Sequence, residues 1–252
     1  MKMKFKVKDG TQLRTLVGAI QILSDEAELK LNGDGVRIRQ MDPSRVAMVD
    51  LFWPKTAFEE YTAPKEHEKV RLNLAELMKL LKRAGKDEPI ELELDSKTGR
   101  VQVRITGKYA RHFTLPSLEA DQEDLPMPKV AFNVKAKLTT DGIKQAIEDA
   151  QLVSDHVKIQ AEKESLKLLA SGDLMSADIV LKKGSDVMLD IAVKEESKAT
   201  YSLSYLKDMI TSASAFSSVA SLEFSSDMPA KIDCENQGIT LMYFMAPRIE
   251  TE

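Results

Sequence analysis

The chain repeats one pattern of apolar and polar residues at an interval of 130 positions. The segment LVSDHVKI at 152–159 falls on the earlier segment ILSDEAEL at 22–29, and Leu13 and Leu29 fall on Ile143 and Ile159. Apolar residues in both copies recur first at i, i+3, i+4 and i+7, and then at every second position. These are the spacings of an amphipathic helix followed by strands. One unit of helices and strands is therefore written twice.

Each copy is predicted to hold two helices on one face of antiparallel sheets, an α+β arrangement. The predicted helices are 11–23, 74–84, 140–153 and 202–212. The strands predicted in the first copy are 4–7, 26–31, 36–39, 46–52, 90–94, 101–105 and 109–115. The sequence Asn32-Gly33-Asp34-Gly35 predicts a hairpin turn, and Asn73 is predicted to cap the second helix.

The segment SLEADQEDLPMPKV at 117–130 differs in composition from both copies. It is acidic and contains Pro126 and Pro128, as is typical of an exposed linker. We therefore expect an N-terminal domain at 1–117, a connecting loop at 118–130 and a C-terminal domain at 131–252.

The composition excludes several classes of protein. A single cysteine, Cys234, rules out an intrachain disulfide and favours a reducing compartment. A formal net charge of −4 argues against a globally basic nucleic-acid binder, although it leaves local basic patches open. No apolar run has the length of a membrane span. The opening MKMKFKVKDG alternates like a first strand and does not read as a secretory signal.

Catalytic motifs are absent from the sequence: it has no Gly-rich phosphate loop, no GxSxG and no HExxH. His67, His112 and His156 are far apart along the chain, and a zinc site needs converging ligands. Cys234 alternates with Ile232 on a predicted strand, as a packed thiol does. A carboxylate pair is not excluded, but no pair stands out. We expect no metal and no cofactor, and a binding protein rather than an enzyme.

The polar faces of the four predicted helices carry the candidate DNA contacts. These are Arg14, Lys79, Lys82, Arg83, Lys144 and Lys207. Each alone is more often a solvated face. If both copies fold alike, their helices form one surface whose cations attract phosphates without reading sequence. No aromatic residue lies among these cations, so duplex DNA is favoured over stacked single strands.

Several segments resemble the DNA sliding clamp family, in particular the archaeal relatives of proliferating-cell nuclear antigen. They are RQMDPSRVAMVDL (39–51), LMKLLKRAG (77–85), LVSDHV (152–157), SYLKDM (204–209) and YFMAPRIE (243–250). The resemblance covers essentially the whole chain. It implies two similar domains per chain and a ring of three identical chains joined head to tail, with the helices lining the hole. It also implies that the ring encircles duplex DNA in an archaeal cytoplasm, at the nucleoid and away from membranes.

The same resemblance implies that the ring is not an enzyme but a processivity factor acting in replication and repair. A separate clamp loader places it on DNA, and it tethers DNA polymerase, flap endonuclease and DNA ligase through short docking motifs. Tethering raises the effective concentration of these partners at the DNA.

The resemblance also places two further sites. The subunit interface pairs edge strands near 108–115 and 176–183, which without the resemblance would be ordinary strands of a monomer; its residues are Tyr109, Arg111, Phe113, Leu115, Ala177, Ile179 and Leu181. The pocket for partner peptides comprises Met41, Arg45, Val46, Met48, Leu125, Met127, Pro229, Phe244, Met245, Ala246, Pro247, Arg248 and Ile249. Arg45 stands where some relatives carry His, and the third helix, with Gln145 and Glu148, is less basic than in some relatives.

Two alternatives remain open from the sequence. The first alternative is that the chain is one subunit of a heterotrimeric clamp. The second is that it is an enzyme that uses an unrecognised carboxylate pair on the duplicated scaffold. The mass of the purified chain separates a self-closing trimer from the first alternative, and a primer-extension assay addresses the second.

Overall fold

The computed structural model describes residues 2–62, 68–95, 98–120 and 124–249. His67 and residues 121–123 of the expected connecting loop lie outside these ranges. The chain divides into two units, which are described separately. The first is Met1–Pro43, Val49–Pro126 and Asn236–Thr240, and the second is Ser44–Met48, Met127–Glu235 and Leu241–Glu252.

The first unit contains two helices and the strands β1 to β9. Its helices are α1 (Gly10–Gln21) and α2 (Leu74–Leu81). Its strands are β1 (Lys2–Val7), β2 (Glu26–Asn32), β3 (Gly35–Met41), β4 (Ala47–Pro54), β5 (Glu60–Thr62), β6 (Glu68–Asn73), β7 (Ile90–Asp95), β8 (Arg100–Thr106) and β9 (Ala110–Pro116). Neighbouring strands follow two orders, β5-β1-β7-β8-β9 and β6-β2-β3-β4.

The second unit contains two helices and the strands β10 to β18. Its helices are α3 (Thr140–Gln151) and α4 (Leu203–Phe216). Its strands are β10 (Val134–Thr139), β11 (His156–Glu162), β12 (Ser165–Ser171), β13 (Ser176–Lys182), β14 (Met188–Val193), β15 (Ser197–Ser202), β16 (Val219–Phe224), β17 (Ala230–Asn236) and β18 (Ile239–Met245). Its strand orders are β14-β10-β16-β17-β18 and β15-β11-β12-β13.

The two units repeat one topology strand for strand. In each, the first strand lies between the fifth strand and the strand that follows the second helix. Thus β1 lies between β5 and β7, and β10 lies between β14 and β16. The hairpins β2–β3 and β11–β12 correspond in the same way and are both antiparallel. The predicted α+β fold with a duplicated domain is therefore confirmed.

Apolar stripes of the helices pack on the strands in both units. In the first unit, Leu16 of α1 and Leu77 of α2 border a small void of about 30 Å³ together with Phe5, Trp53 and Leu92 of the strands. In the second unit, Ile143 and Leu206 border a smaller void of about 10 Å³ with strand residues that include Ile159. α1 packs beside α2, and α3 packs beside α4. Each core thus lies between a helix pair and the strands, as the 3.6-residue and 2-residue periodicities predict.

All four helices end elsewhere than predicted: α1 and α3 end two residues earlier, α2 three residues earlier and α4 four residues later. The amides of Arg83 and Ala84 bond to the carbonyls of Leu80 and Leu81 at 3.0 and 3.1 Å, a spacing of three residues that closes α2 in a tight turn. Arg83 therefore lies beyond α2, and its prediction as a residue of the helix face is wrong. α4 continues to Phe216 because its buried stripe includes Ala213 and Phe216.

The predicted cap of α2 is confirmed, and its loss has a defined cost. The Asn73 side-chain oxygen accepts a hydrogen bond from the Glu76 amide at 2.9 Å, which satisfies one donor that the helix leaves unpaired. We expect Asn73→Ala to lower the free energy of unfolding by about 1 kcal/mol. Urea denaturation measures the change, and Asn73→Ser, which keeps a capping oxygen, is expected to recover most of it. Equal losses in the two variants would contradict the cap.

Candidate functional site

The helix pair of the first unit presents part of the predicted basic surface. Arg14 on α1 is half-buried, whereas Lys79 and Lys82 at the end of α2 are exposed. The Lys79 ammonium lies 2.5 Å from the Glu76 carboxylate, an exposed ion pair that reduces its net attraction for a phosphate. Lys82, the C-cap residue of α2, is therefore expected to attract a phosphate more strongly than Lys79 does.

The helix pair of the second unit is less basic. Lys144 on α3 and Lys207 on α4 are half-buried, and acidic residues share both helices, with Glu148 on α3 and Asp208 on α4. Ionised groups of both signs on one helix face give a weak local field. The predicted cations are thus distributed unequally, with those of the first unit more accessible.

The strands predicted for the subunit interface lie at the edges of their sheets. β9 pairs with β8 and ends its strand order, and β13 pairs with β12 and ends its own. In both, exposed residues alternate with less exposed ones, and Leu181 of β13 is buried, as is typical of strands with one solvated face. Tyr109, next to β9, leaves 66% of its surface exposed. Such edges carry backbone groups able to pair with another chain.

One predicted interface residue, Arg111, is bound within its own unit. Its guanidinium forms an ion pair with Glu88 and donates a hydrogen bond to the carbonyl oxygen of Arg83 at 2.7 Å. The Gly85 amide and this guanidinium together lower the pKa of the Glu88 carboxyl. Arg111 therefore ties β9 to the turn after α2, and any role between subunits comes in addition to this contact.

In the second unit, the predicted docking residues surround a short loop and the segment after β18. The Ala246 amide donates to the Val46 carbonyl oxygen at 2.8 Å, and Ser44 and Tyr205 join their hydroxyls at 3.0 Å. Arg45, which lies between Ser44 and Val46 in the sequence, has a φ of 59°, a backbone conformation uncommon outside glycine. This loop is therefore held in a strained geometry, as functional sites often are.

The remaining docking residues of the second unit fall into two groups by burial. The side chains of Met48, Phe244 and Met245 are buried, with Phe244 only 6% exposed, so they support the surface from beneath. Those at least partly exposed are Met127, Pro229, Ala246, Pro247, Arg248 and Ile249. Of these remaining docking residues, only the second group is therefore appreciably accessible from solvent.

In the first unit, the predicted docking residues are Met41 and Leu125, both half-buried. Leu125 is held by its backbone, because its carbonyl oxygen accepts a hydrogen bond from the Arg39 guanidinium at 2.8 Å. The adjacent Asp124 carboxylate lies 2.6 Å from the Lys30 ammonium and 2.8 Å from that of Lys69. None of these anchoring residues is among the sites expected from the sequence.

An open cavity of about 680 Å³ in the second unit is also not predicted. His156 lines it, and both of its ring nitrogens lie within about 3 Å of the Arg248 guanidinium. Arg248 reaches this position because its amide bonds to the Thr200 carbonyl on β15 at 2.7 Å. No local signal in the sequence indicates the contact of His156 with a residue 92 positions away.

The described residues offer no metal cluster: no three His, Cys, Asp or Glu side chains among them converge on one point. Cys234 is buried, and its thiol faces the Leu241 carbonyl at 3.5 Å. Burial raises the pKa of this thiol to about 12, which agrees with the prediction of a packed thiol. In the part of the chain that the structure covers, no helix is long and apolar enough to cross a membrane.

Comparison with protein families matches both units. Residues 2–124 match the family model described as proliferating cell nuclear antigen, N-terminal domain, and residues 126–249 match the corresponding C-terminal domain. Among curated proteins, DNA polymerase sliding clamp 1 of Pyrobaculum aerophilum is 36% identical over 96% of both chains. The DNA polymerase sliding clamp of Thermofilum pendens is 35% identical over 98% of this chain and 99% of its own.

Solved structures agree with the sequence comparison. The crystal structure of PCNA from Thermococcus kodakaraensis matches 98% of this chain and all of its own, with a TM-score of 0.90 and 26% identity. A chain of the PCNA2–PCNA3 complex from Sulfolobus tokodaii matches 98% of this chain and 99% of its own, with a TM-score of 0.88 and 29% identity. The chain therefore belongs to the proliferating cell nuclear antigen family, whose full-length archaeal relatives named here are DNA polymerase sliding clamps.

Proposed function

We propose that the protein is a DNA polymerase sliding clamp, a ring that encircles duplex DNA and keeps replication and repair enzymes on it. The observation that carries this proposal is the full-length match of both units to DNA polymerase sliding clamps. The processivity factors of this family are not enzymes, and their effect is to raise the concentration of a tethered enzyme at the DNA. In the proposed domain division, residues 1–117 and 131–252 are the two clamp domains and 118–130 the connecting loop.

We propose that the DNA contacts are made by the cations of the two helix pairs. They are Arg14, Lys79, Lys82, Arg83, Lys144 and Lys207. Their mixed exposure and the acidic residues beside them suit sliding, because few and weak phosphate contacts hold the duplex without fixing its position. Arg83 would act from the turn after α2 rather than from the helix.

Ring closure is proposed to pair β9 of one chain with β13 of the next. Such a contact joins two different surfaces and closes after three copies if the rotation fits. Its side chains are Tyr109, Arg111, Phe113, Leu115, Ala177, Ile179 and Leu181. A homotrimer is the simplest assembly, and the solved PCNA2–PCNA3 complex makes a mixed ring the second candidate. Light scattering of the purified chain decides between them: a mass three times the 28.1 kDa of one chain supports self-closure.

The function itself is tested by primer extension. DNA polymerase of the same organism, supplied with clamp loader and ATP, is expected to make longer products in one binding event when the chain is added. Product length that does not change with the chain, under conditions where a known archaeal clamp and its loader lengthen it, would refute the proposal. DNA ligase and flap endonuclease are expected to be stimulated on nicked and flapped duplexes in the same way.

The docking residues that are partly exposed give a clean test of partner binding. We expect Met41→Ala combined with Ile249→Ala to weaken binding of a polymerase docking peptide by about tenfold or more, since apolar anchors carry most of such energies. Ile249 is 82% exposed and Met41 half-buried, so the unfolding midpoint should change little. Fluorescence anisotropy of the labelled peptide measures the loss.

The matched control is Leu189→Ala, which truncates an exposed apolar side chain on β14. It is expected to bind the peptide like the unmodified chain. Phe244→Ala is not a useful variant, because truncating a buried aromatic destabilises a core by about 3–5 kcal/mol. Peptide binding that survives the loss of both Met41 and Ile249 would place the pocket elsewhere.

A further inference from the structure

The segment between β9 and the end of the first unit is fastened to the strands at both of its described ends. At the first, the Leu118 amide donates to the Arg71 carbonyl oxygen of β6 at 2.8 Å. At the second, Asp124 and Leu125 are held by side chains of β2, β3 and β6. The described residues Leu118, Asp124 and Leu125 are therefore each fixed to these strands.

The contacts at the second end include a pair of lysines that needs an anion. Lys30 of β2 and Lys69 of β6 stand directly opposite each other in the antiparallel register. Like charges at such positions repel. The Asp124 carboxylate accepts both ammonium groups, at 2.6 and 2.8 Å, and Lys69 also lies 3.4 Å from the carboxylate of Glu28. The strands thus present a cation pair whose described partners include a carboxylate of the connecting segment.

The neighbouring contact is made from a rigid support. Asp50 is fully buried and accepts hydrogen bonds from Arg39 Nε at 2.5 Å and from Arg37 Nη1 at 2.8 Å. A buried carboxylate requires such partners. Because the guanidinium is planar, fixing Nε also aims Nη1 of Arg39, which donates to the Leu125 carbonyl oxygen. The backbone of the segment is therefore tied to a group that has little freedom to move.

We propose that Lys30, Lys69, Asp124 and Arg39, here called the linker clasp, are positioning residues that set the affinity of the clamp for its partners without touching them. The inference rests on the proposed docking function, because Leu125 is one of its residues. Fixing the backbone of one residue costs about 1–2 kcal/mol. A segment already fixed in the free chain spares a bound peptide that cost.

The clasp responds to salt rather than to pH. The two lysines lower the pKa of the Asp124 carboxyl to about 2. A depressed pKa means that the ion pairs persist above the ordinary value near 3.8 and are lost only as the pH falls toward 2. The Asp124 side chain is 64% exposed, so dissolved ions screen the pairs. High ionic strength is therefore expected to loosen the segment at neutral pH.

A charge-reversal cycle tests the clasp on the full chain. We expect Lys30→Glu and Asp124→Lys each to raise the Kd of a labelled polymerase docking peptide by about fivefold. The double variant, which restores an opposite-charge pair, is expected to bind more tightly than Asp124→Lys. Lys55→Glu, the same change on an exposed residue of a short 3-10 helix (Lys55–Ala57) that follows β4, is the control and should bind like the unmodified chain. Arg39 is not substituted, since its removal would leave the buried Asp50 carboxylate without one of its two guanidinium partners.

Amide hydrogen exchange at 118–127 in the free chain supplies a readout that needs no partner. Exchange should quicken in both single variants and in high salt, and slow again in the double variant. If the unmodified chain binds no peptide, the docking function fails, while the exchange rates still decide whether the clasp holds the segment. Exchange rates that are unaffected, or faster exchange with unchanged peptide affinity, would overturn the inference.

Discussion

Ile179→Asp is expected to dissociate the ring into single chains and to abolish its stimulation of polymerase. Ile179 lies at the centre of β13, the edge strand that is proposed to join the next chain. An aspartate there would be buried against a neighbouring strand without a partner for its charge. Because every junction in a closed ring is the same, the substitution acts at each of them.

The expected size of the effect follows from that repetition. A residue at the centre of an interface typically contributes about 2 kcal/mol, or a factor of about 30 in a dissociation constant. Three junctions together then weaken the assembly by about 10⁴. Light scattering over a concentration series should show one-chain mass where the unmodified chain is a trimer, with an unchanged circular dichroism spectrum.

The control is Leu189→Asp. Leu189 is an apolar residue that is 41% accessible, whereas Ile179 is half-buried, and it lies on β14, another strand at the end of a strand order in the same unit. Its replacement introduces the same charge at a strand that is not proposed to join subunits, so the mass should stay that of the trimer. If Ile179→Asp leaves the trimer intact, β13 is not the closing strand.

The duplicated fold is predictable from sequence because its signals are local and occur twice. The helix stripe that contains Leu13 and Leu16 and the alternating strand after it recur at one interval. The turn at 32–35 and the cap at Asn73 depend on residues adjacent in sequence, and the structure places both where they are predicted. Where local signals are weak, the prediction fails: β5 and β6 are absent from it, and α2 is drawn three residues too long.

The contacts of the sites are less accessible to sequence, because they depend on register between distant segments. Lys30 and Lys69 become opposite only through the pairing of β2 with β6. Asp124 then meets both from a segment whose composition indicates nothing beyond an exposed linker. The family resemblance predicts Arg111 as an interface residue, yet its ion pair with Glu88 depends on where the turn after α2 ends. The resemblance to the family therefore proposes where the sites lie, and the structure supplies the interactions within each unit.

Lys79→Glu with Lys82→Glu is expected to reduce synthesis of long products about tenfold or more while leaving the trimer intact. The change reverses two charges per chain, a shift of four units that every chain of the ring repeats. If these cations attract the phosphates, as proposed, the duplex would face a repulsive surface in the variant, and Glu76 beside Lys79 adds to it. The salt dependence of DNA binding should also flatten, by about one unit of slope for each phosphate that the variant no longer neutralises.

The control must separate the loss of a DNA contact from the effect of a more negative net charge, because the formal net charge of the chain is already −4. Lys55→Glu with Lys163→Glu makes the same change in net charge at exposed residues outside the helices α1 to α4. If the helix cations contact DNA, this second pair should retain most of the stimulation at equal protein concentration. Similar losses in both double variants would mean that overall charge governs loading, and full stimulation by Lys79→Glu with Lys82→Glu would remove α2 from the DNA surface. Only a loss confined to the α2 variant agrees with phosphates passing along this helix.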